Sequence, residues 1–217
     1  MIRRLYRSLT TTAATLALAT ALAGPVTAQG VPTVDTQNIA QEIRQLQLLA
    51  STGLRISEAL SLSCDDLTED GLMIRKGKFG KSRLVPLHAS TRAVMERYLD
   101  QRRIVRDAGH DLFVLGHGHA PTATRAHVVF VRIVRKLGYR NPTGPGPRLH
   151  DLRHTFAVRS LETCGNDLRS VLRHMRALST YLGHVDIANT YWYLEATPVL
   201  LQMIAATAEQ TWIGGVA

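Results

Sequence analysis

Cysteine is scarce in this chain, and its scarcity excludes two classes of stabilised domain. Only two cysteines, Cys64 and Cys164, occur among 217 residues. Two thiols cannot build a disulfide scaffold, and they cannot supply a zinc site made of cysteine alone. The composition, with 45% hydrophobic and 20% charged residues, is instead that of a globular protein that buries an apolar core.

Acidic residues are also few, and the resulting charge restricts the kinds of partner. The 17 Asp and Glu residues are outnumbered by 26 Lys and Arg residues, so the formal net charge is +9 at pH 7. A surplus of this kind favours a polyanion as the partner. Charge alone leaves open nucleic acid, an anionic membrane surface, and a basic protein that binds neither.

Long apolar segments are missing as well. The uncharged run 9–24 is shorter than the ~20 residues that cross a bilayer as a helix. Three arginines precede this run, and the small or modest side chains of 25–28 follow it. The pattern predicts a cleaved export signal over 1–28, and the alternative is an alanine-rich first helix of the domain.

Internal repeats and low-complexity tracts are absent from the rest of the chain. Strand-like residues at 72–74 and 83–87 flank a turn with two glycines, which predicts a β-hairpin. The mostly helical order with one small sheet places the fold in the α+β class. Apolar periodicity and Ser90 as an N-cap predict helices over 36–50, 57–62, 90–107, 124–137, 150–164, 167–174, 178–182, 187–194 and 198–210.

Two groups of basic residues have the chemistry to bind an anion. Arg55 precedes a predicted helix, where its side chain and free backbone N–H groups can face a negative ligand. His150 and Arg153 are three positions apart on another predicted helix and share a face. An imidazole beside a guanidinium suits phosphate binding and proton transfer, although each motif alone also fits a solvated surface.

Three tyrosines near the C-terminus flank a further histidine, His184. Tyr181 precedes this histidine, and Tyr191 and Tyr193 follow it. Helical geometry turns the last two by ~200° from each other, so they cannot face the same site. A tyrosine on a short helix is otherwise a packed aromatic residue.

Taken in order, these motifs resemble the tyrosine recombinases, also called the phage integrase family. They are TGLRISE at 52–58, GKFGKSRLVPL at 77–87, HDLRHTF at 150–156, LGH at 182–184 and the tyrosine at 193. The resemblance covers 49–206, and LSTYLGH at 178–184 with TYWYL at 190–194 is most similar to the transposon-associated branch. It implies a recombinase that cuts and rejoins double-stranded DNA as a tetramer on paired sites.

The resemblance also implies catalytic roles. Tyr193 would attack a DNA phosphodiester and form a 3′-phosphotyrosine, a bond that conserves energy so that rejoining needs no ATP. Arg55 and Arg153 would bind the non-bridging oxygens of the phosphate. Because side chains supply the cations, the resemblance implies no cofactor and no metal.

The resemblance assigns the general acid to a lysine of the hairpin. Lys78 would protonate the 5′-oxygen of the leaving group. Lys76 and Lys81 lie close by and are its rivals. Alignment on RLVPL at 83–87 selects Lys78.

Histidines complete the implied site. His150 would help to accept the tyrosine proton, and His184 would donate a hydrogen bond to the phosphate. His154 follows Arg153 directly, and we expect it to contact the fold instead. Three further histidines could suggest a metal site, but we interpret their segment as a polar loop without a metal. They are His110, His117 and His119.

The N-terminal part departs from the family pattern. A typical member carries an N-terminal helical domain that closes over DNA, and few residues precede Arg55 here. We therefore expect a truncated copy with weak activity on its own. Its expected parts are a signal-peptide-like leader of fusion origin (1–28), a linker and lead-in helix (29–48), a catalytic domain (49–207) and a tail (208–217).

Two other interpretations stay open. The leader and the segment 35–41 faintly resemble exported components of conjugative transfer systems, so an exported protein with a vestigial recombinase domain is one alternative. A DNA-binding remnant without catalysis is the other. Because an exported recombinase would meet no chromosome, we expect a cytoplasmic protein that has no membrane partner.

Overall fold

The computed structural model describes residues 34–75, 80, 82–103, 105, 109–115, 118–141, 143–164 and 167–195, together with positions 202, 205, 206 and 209. Three sequence predictions lie wholly or mostly outside the described residues. They concern the leader 1–28, the helix 198–210, and the hairpin turn with Lys76, Lys78 and Lys81. Within the described part of the chain, no helix has the length and apolarity that crossing a bilayer requires.

Seven helices and a small sheet are described, which confirms the α+β prediction. The helices are α1 (Val34–Thr52), α2 (Ile56–Leu60), α3 (Ala89–Arg102), α4 (Ala123–Lys136), α5 (Asp151–Glu162), α6 (Leu168–Leu182) and α7 (Ala188–Glu195). The strands are β1 (Leu67–Thr68), β2 (Gly71–Ile74) and β3 (Arg83–Val85). They pair antiparallel in the order β1–β2–β3, with Leu72 opposite both Leu67 and Val85.

The structure corrects two predictions about helix ends. The N-cap of α3 is His88, whose ring nitrogen accepts from the Ser90 amide, so Ser90 is not the cap. The predicted helices 167–174 and 178–182 are one continuous helix, α6. It continues because Met175 and Leu178 extend a buried apolar stripe and no glycine or proline interrupts them.

The core consists of two apolar clusters. The first fills the space between α1, the sheet, α3 and α4, with Leu48, Leu72 and Tyr98 at its centre. The second joins α5, α6 and α7 and includes Leu182 and Tyr193. Helix α1 packs against α5 as well as against α3 and α4, so it connects the two clusters. Val128 on α4 is 50% exposed, because its neighbours Val129 and Ile133 lie on the buried stripe of that helix.

Gly53 ends α1 at the junction of the two clusters. Its φ of +63° lies in the left-handed region, which side chains other than glycine rarely adopt. A Cβ atom built there would lie 2.6 Å from a ring carbon of Phe156 and 3.2 Å from a methyl carbon of Leu182. Glycine therefore lets α1 approach α5 and α6 closely.

We expect Gly53→Ala to lower the free energy of unfolding by ~1–3 kcal/mol, because it combines left-handed strain with a clash against Phe156. Urea denaturation of the purified protein measures this loss. Gly109→Ala is the matched control, since a Cβ there would have no atom within 4 Å. Equal stability of the two variants would contradict the close approach at Gly53.

Candidate active site

Three arginines from different parts of the chain converge on the C-terminus of α6. They donate to the consecutive backbone carbonyls of 181–183, at the negative end of the helix dipole. The contacts are Arg83 Nε to Tyr181 O (2.8 Å), Arg153 Nη2 to Leu182 O (2.7 Å), Arg55 Nη1 to Leu182 O (3.3 Å) and Arg55 Nη2 to Gly183 O (3.3 Å). One short stretch of backbone thus fixes three cationic side chains.

A buried carboxylate, Glu58, links two of these arginines. Its oxygens accept from Arg55 Nη1 at 2.9 Å and from the two terminal nitrogens of Arg83 at 3.0 and 2.9 Å. Burial raises the pKa of Glu58, but the hydrogen bonds from Arg83 and from the Arg55 amide outweigh it and hold the pKa below its usual value. The carboxylate therefore stays charged and orients both guanidinium groups.

The sequence interpretation assumed free backbone N–H groups at the start of α2, but the amide of Arg55 is not free. It donates to Glu58 Oε2 at 2.9 Å, within the capping box at the start of α2. An anion at this position would therefore meet the guanidinium of Arg55 and not its amide.

Arg153 is the most deeply buried of the three arginines, with 2% of its surface exposed. Its Nη1 donates to Gly53 O at 2.7 Å, so it connects the end of α1 with the end of α6. Burial and the neighbouring charge of Arg55 lower the pKa of Arg153 to about 10. The guanidinium remains charged at neutral pH, and Tyr193 is one of its electrostatic neighbours.

Tyr193 lies among histidines on the inner face of α7. Its ring centroid is 5.3 Å from that of His154, edge to face, and 6.1 Å from that of His184, nearly parallel. The His154 ring in turn lies 5.0 Å from that of His150. Tyr193 is 4% exposed and Tyr191 is 45% exposed, which confirms the prediction that the two tyrosines face different sides.

The histidines of this cluster favour the neutral form. Burial and the charges of Arg153, Arg55 and Arg83 lower the pKa of His184 to about 4. Partial burial also lowers the pKa of His150 and of His154. Nδ1 of His184 lies 2.8 Å from Oγ1 of the buried Thr190, a contact that fixes the orientation of the ring.

These shifts make the fold sensitive to acid. Below pH ~6.5 the histidines bind protons in the unfolded chain but stay neutral in the folded one, because folding lowers their pKa values. We therefore expect the free energy of unfolding to fall from pH ~6.5 towards pH ~4 and to recover as the pH rises. Urea denaturation at several pH values measures the slope. His184→Gln should flatten it, and His127→Gln, on the exposed face of α4, should not. A wild-type stability that is level across this window would contradict the neutral histidine cluster.

The structure brings five of the six predicted site residues together. Arg55, Arg153, His184 and Tyr193 lie around the end of α6, and His150 lies at the solvent edge beside His154. Lys78 lies outside the described residues. Among those described, no group of three or more His, Cys, Asp or Glu residues is placed to hold a metal ion.

Four residues of the cluster were missed by sequence reasoning. His154 was expected to contact only the fold, but its ring is a neighbour of Tyr193. Glu58, Arg83 and Thr190 received no role. The acidic residue three positions after Arg55 is the one available signal, since this spacing is typical of a capping box.

Sequence comparison identifies relatives of this chain. The model of the phage integrase family matches residues 31–198. A protein named integrase/recombinase y4rB, from Sinorhizobium fredii, is 42% identical to this chain over 171 residues. The match covers 76% of this chain and 54% of that protein. Tyrosine recombinase XerD of Listeria monocytogenes is 35% identical over 162 residues, covering 72% and 50%. The chain thus spans about half the length of the curated relatives it matches.

Solved structures share the fold. The site-specific recombinase XerH in its post-cleavage complex with difH substrate superposes with a TM-score of 0.64 at 22% identity, covering 92% of this chain and 52% of that chain. The Tn1549 transposon integrase in complex with transposon right end DNA gives a TM-score of 0.59 at 23% identity, covering 84% and 60%. At these identities the similarity shows the arrangement of helices and strands.

Proposed function

Because this chain belongs to the phage integrase family, we propose that it takes part in site-specific recombination, cutting and rejoining double-stranded DNA through a 3′-phosphotyrosine. One observation carries the proposal: the buried ring of Tyr193 lies against the rings of His154 and His184, and the charge of the buried Arg153 acts on its hydroxyl. A tyrosine that only packed in a core would not need this combination of cation and proton acceptors.

The proposed reaction uses Tyr193 as the nucleophile. Its oxygen forms a bond to phosphorus, and the bond from phosphorus to the 5′-oxygen of the next nucleotide breaks. The phenolic proton passes to the neutral imidazole of His154, whose ring lies against that of Tyr193, and the adjacent His150 helps to accept it. Lys78 donates a proton to the leaving 5′-oxygen. The reverse steps rejoin the strand.

Charge in the cluster suits the proposed transition state. Arg55, Arg83 and Arg153 together with Glu58 leave two net positive charges. A phosphodiester carries one negative charge and gains a second as the nucleophile adds, so cations held in place beforehand stabilise the transition state more than the substrate. We assign phosphate binding to Arg55 and Arg153, with a hydrogen bond from the neutral imidazole of His184.

The DNA partner follows from the same proposal. The formal net charge of +9 supports binding to a polyanion. The logarithm of the binding constant should fall with the logarithm of salt concentration, with a slope of roughly −0.9 for each phosphate contacted. The domain limits 49–207 and assembly into a tetramer on paired sites stay predictions.

Covalent capture on a DNA pool tests the proposal without knowledge of the target site. Each duplex carries a randomised centre and a nick at one of several positions across it. Where the nick lies one position beyond the bond that is cut, the short 5′-hydroxyl fragment diffuses away and the intermediate is trapped. We expect a protein–DNA adduct that survives denaturation, and sequencing of the trapped DNA should give a shared site. Salt-sensitive binding without any adduct would overturn the catalytic proposal and leave a DNA-binding protein. Failure to bind duplex DNA at low salt would overturn the DNA partner.

A further inference from the structure

Arg83 is not among the residues that we assign to phosphate binding or proton transfer, yet its side chain is held by several contacts. Its side chain is 12% exposed and makes three hydrogen bonds with residues of two other elements. Nε donates to the Tyr181 carbonyl, and the two terminal nitrogens donate to the two oxygens of Glu58. Lysine cannot reproduce this arrangement, because its single ammonium group cannot donate two parallel hydrogen bonds to both oxygens of a carboxylate as the planar guanidinium does.

The guanidinium of Arg83 also packs on the turn after α6. Gly183 has a φ of +66° and ends the helix. A Cβ atom at this position would lie 2.8 Å from Nη1 and 2.9 Å from Cζ of Arg83, so the group occupies the space that a side chain would need. Arg83 and the glycine therefore fix each other's position.

This turn carries the contacts of both arginines that we assign to the phosphate. The Leu182 carbonyl accepts from Arg55 and Arg153, the Gly183 carbonyl accepts from Arg55, and His184 follows directly. A shift of the turn would move all three side chains at once. Loss of Arg83 would also leave Glu58, which orients Arg55, with fewer donors.

Arg83 in addition connects the turn to the hairpin. It is the first residue of β3, two positions after Lys81, and β3 packs against α6. The Arg83 side chain thus links β3, the strand that follows the proposed general acid Lys78, to the arginine cluster.

We propose that Arg83 is a positioning residue, which holds the 181–183 turn and Glu58 so that Arg55, Arg153 and His184 share one phosphate site. The inference rests on the proposed function for its catalytic consequence, and it makes a structural claim of its own. The turn should loosen when Arg83 is replaced, whether or not DNA is cut.

Amide hydrogen exchange of the full chain tests the structural claim. The Gly183 and His184 amides donate to Thr180 and Ser179 carbonyls, each at 3.0 Å. In Arg83→Met we expect these two amides to exchange ~10-fold faster or more, because charge-assisted hydrogen bonds that hold the turn are lost. Amides of α3 serve as the internal reference, since a change confined to 183 and 184 separates a loosened turn from a destabilised fold.

Two further variants complete the experiment. Arg75→Met is the matched control, because Arg75, directly after β2, also pairs with a buried carboxylate, Asp66, and its side chain has no described hydrogen bond to 181–184. We expect its exchange at 183 and 184 to equal that of the wild type. Arg83→Lys keeps the charge but cannot make the fork, and we expect it to behave like Arg83→Met.

Covalent capture then measures the catalytic consequence. At saturating DNA we expect Arg83→Met and Arg83→Lys to form the adduct ~10–100-fold more slowly, with DNA affinity changed less than ~3-fold. Unchanged exchange at 183 and 184 in Arg83→Met would overturn the inference, and so would full rescue by lysine. A wild type that forms no adduct would overturn the proposed function alone, because the exchange result stands without it.

Discussion

Tyr193→Phe should abolish the covalent protein–DNA adduct, and Tyr191→Phe should leave it unchanged. Phenylalanine keeps the ring that packs between His154 and His184 but has no oxygen to bond to phosphorus. We expect adduct formation to fall by more than ~10⁴-fold, as for the loss of a nucleophile in other enzymes. Quantification of the trapped DNA on a denaturing gel measures the fall.

Tyr191 provides the internal control for this experiment. It lies two positions away on the same helix and is 45% exposed, so its hydroxyl faces away from the arginines. An adduct of wild-type yield in Tyr193→Phe would mean that another residue is the nucleophile.

Arg153→Met should have the second largest effect, on both stability and reaction. The Gly53 carbonyl would lose its bond to the guanidinium, and the Leu182 carbonyl would keep only its longer contact with Arg55. We expect the free energy of unfolding to fall by ~2–4 kcal/mol. Adduct formation should fall by ~10²–10³-fold, because a preorganised cation is missing from the phosphate site. Urea denaturation and a time course of covalent capture measure the two effects.

Lysine at the same position separates charge from geometry. Arg153→Lys keeps a cation, but a single ammonium group cannot span the Gly53 and Leu182 carbonyls as the planar guanidinium does. We expect most of the loss to persist. Arg173→Met, on the exposed face of α6, should keep both stability and adduct formation within error. An Arg153→Lys variant with wild-type rates would contradict a bidentate role for Arg153.

Helix periodicity explains which parts of the fold could be predicted from the sequence. The buried stripe of α4 and the opposite orientation of Tyr191 and Tyr193 follow from 100° of turn per residue. Strand β1 could not be predicted, because two residues carry no alternation and pair only where β2 is in place. The continuity of α6 depends on the partners of Met175 and Leu178 in the core, which the local sequence does not record.

The motifs predicted most of the residues of the candidate site, but not the hydrogen bonds that join them. Arg55, Arg153 and Tyr193 stand in motifs, so their residue types could be read directly. Their partners are mostly backbone carbonyls, and any residue can supply a carbonyl. Arg153 bonds to Gly53 across 100 positions, and Arg55 bonds to Gly183 across 128 positions. Such contacts leave no pattern in the sequence, which is why the roles of Glu58 and Arg83 emerge only from the fold.

Mapping the DNA-linked residue tests the central claim most directly. No lysine or arginine follows Arg176, so trypsin releases one peptide, 177–217, that contains all three candidate tyrosines. After the trapped DNA is trimmed by nuclease, tandem mass spectrometry locates the added nucleotide phosphate along this peptide. We expect the modification on Tyr193. The phosphate on Tyr181 or Tyr191, or an adduct linked to any other peptide, would contradict the account.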